Sequence, residues 1–445
     1  MNARIDVARN RNESRNPGGP VRTPAKSTIF ERRESAVRSY SRSFPVLFDR
    51  AEGTRIFDAR GRSYLDFLSG CSTLNYGHNH PALKEALIRY IESDGISCGL
   101  DLFTRAKSEF LEAFEGRVLR PRQLDYIVQF PGPTGTNAVE AALKLARKVT
   151  GRRNVIAFTN GFHGVTLGAL ACTGNRLHRL DGELPLGGVT RIPYAGYLGE
   201  DFDGLALLEK MLEDPSSGVD RPAAIILETV QGEGGLNVAS AEWLRRVEAI
   251  ARSSGALLIV DDIQAGIGRT GHFFSFEFAG IRPDIVTMAK SLSGYGLPMA
   301  AVLIRRDLDH WAAGEHNGTF RGNSSAFVTA TAALGHFWQD DAFAARTREL
   351  GKMLRLRLDS LVMQFPELLR KGRGMMQGIE MPSGEMASRV VELAFAEGLI
   401  IETSGPRGEV VKILAPLIIE EDELDEGLQI LFDAIGAARK EGLSS

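Results

Sequence analysis

Only three cysteines occur in the 445 residues, Cys71, Cys98 and Cys172. An odd number with no close pair excludes a disulfide framework and points to reduced thiols in a cytoplasmic protein. Long hydrophobic runs are missing as well. The best strings, AAIIL (Ala223–Leu227) and ALLIV (Ala256–Val260), are strand-sized, far short of the roughly 20 residues that cross a bilayer. Neither sign of charge is in large excess: the net charge of −3 removes bulk attraction to nucleic acid. No internal repeat or low-complexity linker interrupts the chain. What is present, 43% hydrophobic and 24% charged residues, is ordinary for a globular protein, and the length predicts two domains.

Met1 to Ser27 is rich in Arg, Asn, Pro and Gly and lacks the apolar core of a secretory signal, so residues 1–28 read as a disordered tail. From Ile29 the pattern turns amphipathic, with Ile29, Phe30, Val37 and Tyr40 as an apolar face, and short strands broken by glycine turns follow. Next come AAIILETV, ALLIVDDI and DIVTMA, apolar strings without alternation, as parallel strands covered on both faces require; AEWLRRVEAIARSSG between the first two is a helix closed by glycine. After about Ala326 long amphipathic helices and short strands predict a smaller α+β domain whose last helix begins with acidic residues. The expected division is 29–75 packing with the small domain, 76–326 as the large α/β domain, and 327–445 as the small one.

In open parallel sheets ligands bind beyond the carboxyl ends of the strands. Glu228, Asp261 and Lys290 all fall there. A lysine in a dry site loses basicity and can form a Schiff base with a carbonyl. A solvated surface lysine is the commoner case, so the neighbours decide. One of them is the Gly132–Lys148 stretch, a Gly/Thr-rich turn running into a helix with Asn137 or Thr136 as N-cap. Its free N–H groups, with the hydroxyls of Thr134 and Thr136, would bind a phosphate. Gly266–Gly271 matches G-x-G-x-x-G, but the aromatic HFFSFEFAG after it does not continue as a helix, which argues against a dinucleotide site. His78 and His80 lack a third metal ligand at a convincing spacing, and no metal is expected. A phosphate site, a strand-end aspartate and a strand-end lysine together fit pyridoxal phosphate. Lys290 would hold it and move the proton, Asp261 would pair with the ring nitrogen, and Gly135 and Thr136 would anchor the phosphate.

From about Ile29 into the last helix the chain resembles the class III aminotransferases of fold type I. TGTNAVEAA (Thr134–Ala142) is similar to their phosphate loop, and Phe162-His163-Gly164 to the segment that stacks on the cofactor. VDDIQAGIGRTG carries Asp261 and Gln264, and MAKSLSGYGLP carries Lys290. NGTFRGN carries Thr319, which in such proteins reaches the phosphate of the neighbouring subunit. The resemblance implies a large domain with a mostly parallel central sheet plus a smaller α+β domain, a homodimer or dimer of dimers, and cofactor contacts from Thr134, Gly135, Thr136, Phe162, His163, Glu228, Asp261, Gln264, Lys290 and Thr319.

Within the family, LNYGHNHPALKEAL, ETVQGEGG and GEHNGTFRGN are similar to diaminobutyrate:2-oxoglutarate aminotransferases of the ectoine type. The implied reaction moves an amino group from L-glutamate to L-aspartate 4-semialdehyde. Ornithine, acetylornithine and 4-aminobutyrate aminotransferases, an aminomutase, a supplier of diaminobutyrate for siderophores or peptides, and a non-catalytic cofactor-binding regulator are the alternatives; the regulator would need a DNA-binding helix-turn-helix for which the first 28 residues have no room. Related ω-aminotransferases pair a glutamate with an arginine that binds the donor's carboxylate. Here Glu233 occupies the glutamate position and Lys412 the arginine position, with Arg407 as a possible substitute. Lysine lacks arginine's two-pronged fork, so either Lys412 acts as a point charge or it only neutralises Glu233.

Overall fold

The computed structural model describes residues 28–179, 186–199 and 201–443; of the tail expected over residues 1–28 only Thr28 is among them, and it caps a helix instead. Residues up to Pro45 and those from Val46 onward belong to separate compact units. In the first, the helix Ile29–Arg33 is closed by a reciprocal cap: the Glu31 N–H donates to Thr28 Oγ1 at 3.2 Å, and the Thr28 N–H to the Glu31 carboxylate at 2.6 Å. The apolar face expected here is not buried, since Ile29, Phe30, Val37 and Tyr40 are 54%, 50%, 87% and 47% exposed. The helices Ile29–Arg33 and Tyr40–Ser43 are too short to present an apolar stripe over two turns.

The second unit is built on a seven-stranded sheet. Its strands lie in the order Tyr126–Gln129, Ala301–Arg305, Ile285–Met288, Leu257–Asp261, Ala224–Leu227, Val155–Phe158, Val189–Ile192. Ala301–Arg305 runs antiparallel to both neighbours, and the remaining pairings are parallel. Every residue of the four strands Val155–Phe158, Ala224–Leu227, Leu257–Asp261 and Ile285–Met288 is buried, which is why they read as unbroken apolar strings. The helix Gly135–Thr150 buries Ala138, Val139, Ala142, Leu145 and Ala146, at helical spacing, in the same core as Val155, Ile226, Ile259 and Ile285. The helix Ala241–Ser254 stops where Gly255 turns left-handed (φ 68°), as its sequence predicts.

Two four-stranded sheets and a two-stranded antiparallel ribbon, Val230–Gln231 with Asn237–Val238, accompany the large sheet. Phe48–Glu52, Arg55–Asp58 and Ser63–Asp66 form an antiparallel meander that Leu399–Ile400 joins in parallel. Leu369–Arg373, Met376–Glu380, Val410–Ile413 and Glu402–Ser404 form the other, all antiparallel. The last helix, Glu421–Leu443, opens with Glu421, Asp422 and Glu423 at the positive end of its dipole. Gly266–Gly271 is a turn, with Gly268 and Gly271 at φ 90° and 93°, and the Ile267 N–H donates to Phe273 O at 2.6 Å. The aromatic run after it buries Phe273, Phe274 and Phe276 rather than starting a long helix. Among the described residues no helix is long and apolar enough to cross a membrane.

Candidate active site

The carboxyl ends of three neighbouring parallel strands carry Glu228, Asp261 and Lys290 to one cavity of about 440 Å³, which Thr134, Gly135, Phe162 and Gln264 also line. Lys290 takes a left-handed backbone (φ 51°) as the Ile285–Met288 strand gives way to the short turn Lys290–Ser293. That conformation costs about 1–2 kcal/mol for a residue with a side chain, and such outliers gather at working sites. Burial depresses the basicity of the Lys290 amine, and the charge of Glu233 and the Cys71 thiol only partly restore it.

Asp261 is braced on both oxygens. Its Oδ2 lies 2.8 Å from His163 Nδ1, while Oδ1 accepts from the Thr287 hydroxyl at 3.2 Å and the Ile263 N–H at 3.3 Å. Burial pulls the basicity of His163 down, but the hydrogen bond and charge of Asp261 outweigh it and raise the imidazole above its ordinary range. Glu228 accepts from the Phe162 N–H at 2.9 Å and the Gly232 N–H at 3.2 Å. Its burial nevertheless pushes the carboxyl up to about 7.

Beyond these groups lies the start of the Gly135–Thr150 helix. Its N-cap is Thr134, not Thr136 or Asn137: Thr134 is extended (φ −117°, ψ 160°), and Asn137 Oδ1 accepts both its N–H at 3.2 Å and its hydroxyl at 2.9 Å. Asn137 therefore plays the part that Glu or Gln plays three residues into a capping box. The Thr136 hydroxyl lies 2.6 Å from that of Thr166. Both hydroxyls expected as phosphate donors are engaged within the protein, and the first-turn N–H groups, which have no acceptor inside the helix, are the donors that remain. Gly164 (φ 117°) lets this end close, because a Cβ there would stand 2.4 Å from Thr136 Oγ1.

On the other side of Lys290 is a second ionic group. Lys412 is fully buried, its Nζ 2.8 Å from Glu233 Oε1 and 3.0 Å from Glu402 Oε1. Burial works against the ammonium, yet the two carboxylates hold it well above the usual lysine range. Of the three, only Glu233 lines the cavity. Gln264 donates to Glu233 Oε1 at 3.0 Å, and its own buried Oε1 has no partner among the described residues. Arg407 does not substitute for Lys412: its side chain is 78% exposed and pairs with Glu409. Thr319 is not brought to the cavity either; it borders a separate hollow of about 300 Å³ with Leu100, Asp101, Asn317 and Gly318.

Sequence reasoning missed Glu402, although a signal existed. The turn residues Gly405, Pro406 and Gly408 join Glu402–Ser404 to Val410–Ile413, and the resulting register sets Glu402 directly opposite Lys412. His78 and His80 are occupied structurally, His78 Nε2 lying 2.7 Å from Asp66 and His80 packing against His336 and Phe337.

The site suits a phosphorylated aromatic aldehyde. It offers a helix N-terminus for the phosphate, a braced carboxylate for a ring nitrogen, Phe162 on the wall, an unpartnered amide oxygen and a buried amine. The family described as aminotransferase class-III matches residues 36–435. A diaminobutyrate--2-oxoglutarate transaminase of Vibrio parahaemolyticus is 56% identical over 409 residues, covering 92% of this chain and 97% of that protein. One of the same name from Halomonas elongata is 56% identical over 411 residues, covering 91% and 98%. Among solved structures, the ornithine aminotransferase of Toxoplasma gondii superposes with a TM-score of 0.80 at 29% identity, over 93% of this chain and 94% of that one.

Proposed function

The chain belongs to the class III aminotransferase family, whose cofactor is pyridoxal phosphate, and on that premise we propose that it moves the amino group of L-glutamate to C4 of L-aspartate 4-semialdehyde, giving L-2,4-diaminobutyrate and 2-oxoglutarate, reversibly. The observation that carries this reading is the pair of relatives at 56% identity along almost the whole chain, both of that activity by name. In this reading the diamine feeds ectoine synthesis, the enzyme is cytoplasmic, and it works as a homodimer or dimer of dimers in which Thr319 reaches the neighbouring subunit's phosphate site.

When bound, pyridoxal phosphate supplies a carbonyl for the amine and a ring that withdraws electrons from the substrate carbon. The chain's residues do the rest. First-turn N–H groups at Gly135 and Thr136 would hold the phosphate, with Thr134 fixing the loop before them, and Phe162 would cover the ring. Asp261, backed by His163, would keep a proton on the ring nitrogen; its oxygens retain lone pairs after their internal bonds. Lys290, whose amine burial makes less basic, would hold the carbonyl carbon at rest and carry a proton to and from the substrate carbon during turnover. Glu228 and Gln264 would orient the remaining polar edge, and Glu233 with Lys412 would meet the group beside the reacting carbon.

Formation of L-glutamate from 2-oxoglutarate, followed with each candidate amine in turn, tests the substrate. Diaminobutyrate is expected to be the best donor. A preference for ornithine, the substrate in the name of the Toxoplasma neighbour, or for 4-aminobutyrate would overturn the reading. Deletion of the gene should also abolish ectoine accumulation.

A further inference from the structure

A single cavity in this reaction meets two kinds of carbon. Glutamate bears a carboxylate on the carbon that loses its amine, whereas diaminobutyrate bears a methylene there. A fixed carboxylate on the wall would repel the first, and a fixed, unpaired ammonium would be left buried and uncompensated by the second. Among Lys412, Glu233 and Glu402 the burden is divided unequally. Glu233 lies on the cavity wall with its side chain 32% exposed, in a glycine-flanked turn after Val230–Gln231. Glu402 is 9% exposed, does not line the cavity, and sits on a strand directly opposite Lys412 in an antiparallel ladder. Lys412 itself shows no surface.

We infer that Glu402 is the standing counter-ion of Lys412, a positioning residue that lets Glu233 leave the ammonium to a donor's carboxylate without stranding a buried charge. The inference rests on the reaction proposed above. Glu233 is the partner free to move: it is held by Lys412 and by Gln264 at 3.0 Å, but with Glu402 behind it the ammonium remains neutralised when Glu233 swings out. Two carboxylates share one ammonium: against burial, the charge of Lys412 holds Glu233 below its ordinary range, whereas burial raises Glu402 despite the same charge. Two further titratable groups face it, Lys290 across the cavity and Cys71, whose Sγ lies 3.9 Å from Glu402 Oε2. Replacing Glu402 by glutamine removes the charge and keeps the shape. Lys412 then depends on Glu233 alone, and the wall locks in the state suited to the methylene.

The test is a comparison of both half-reactions in the holoenzyme. In E402Q the KM for glutamate and for 2-oxoglutarate should rise at least about tenfold more than the KM for diaminobutyrate, and E402D, which restores the charge, should recover much of that difference. Equal losses in both half-reactions, or a lower KM for glutamate, would overturn the inference and reduce Glu402 to a structural partner. Should E402Q fail to fold, E402D carries the test alone: its shorter reach weakens the hold on Lys412, and a KM change confined to the glutamate side supports the role while an even change sinks it. Failure of the substrate reading looks different, since the unaltered enzyme would then prefer another amine, and the E402Q comparison is made with that amine.

Discussion

Two buried ionic groups flank Lys290, and they are built on opposite plans. Asp261, His163 and Glu228 hang from the ends of parallel strands in one mostly parallel sheet and the loop beside it, each fastened by backbone N–H groups or by a neighbouring side chain. Lys412, Glu233 and Glu402 join a loop of the large sheet to a small antiparallel sheet, with one cation between two anions. The first group is held in place by internal hydrogen bonds, and in the proposed mechanism it serves one unchanging ring. In the proposed reaction the second shifts its pairing as two substrates alternate. Electrostatic preorganisation and selectivity thus use the same residue types in different architectures.

The broadest way to test the contrast is to remove the group that both sides serve. K290A should lower both half-reactions together by at least about 10³-fold, measured in single turnovers; a loss confined to one half would mean that Lys290 does not serve them in common. Breaking the second group alone comes next. K412M leaves the buried Glu402 and the cavity-wall Glu233 without their shared cation and should destabilise the protein by about 3–5 kcal/mol near neutrality. In the unaltered protein Glu233 is held below its ordinary range, by Lys412 against the pull of burial, so its contribution is present above that range and lost as pH falls. In K412M the carboxyls are raised instead, so the deficit should shrink on acidification. Chemical denaturation at several pH values checks this, and a deficit constant with pH would show that lost packing, not charge, is responsible.

The smallest effect concerns the fixed group. Glu228 is raised from 4.5 to about 7 by its burial, so it favours the fold below 4.5 and that contribution is lost as pH rises toward 7. E228Q should remove about 1–3 kcal/mol of this decline. Asp262, also raised to about 7, leaves its own share of the slope in the variant. Identical pH–stability curves for the two proteins would place the Glu228 proton elsewhere.

The strands that carry Glu228, Asp261 and Lys290 were legible because burial on both faces writes itself as an unbroken apolar string, and the helix over 241–254 because its glycine stop is local chemistry. The cap at Thr134 was misjudged: Thr136 and Asn137 are equally good cap types, and only the backbone dihedrals decide among them. Ile29 and Phe30 misled for a related reason, since a periodic pattern does not say how many turns the helix will have. Glu402 went unseen because its role is a matter of register between strands, which composition does not carry. Thr319 borders another hollow of its own chain, and the role that resemblance implies for it lies at the neighbouring subunit's phosphate.

The one antiparallel strand in the large sheet has a consequence for how the site assembles. Because Ala301–Arg305 turns back beside Ile285–Met288, pairing Met288 with Ala301, the segment holding Lys290 is a loop closed at both ends by its own neighbours. Closing it costs little chain entropy. By contrast the Asp261–His163 bond spans 98 positions of sequence and the Lys412–Glu233 bond 179. Contacts of such different range differ in the loop-closure entropy they cost, so the loop that presents the lysine is local in origin, whereas the charges that make its amine useful come from distant parts of the chain.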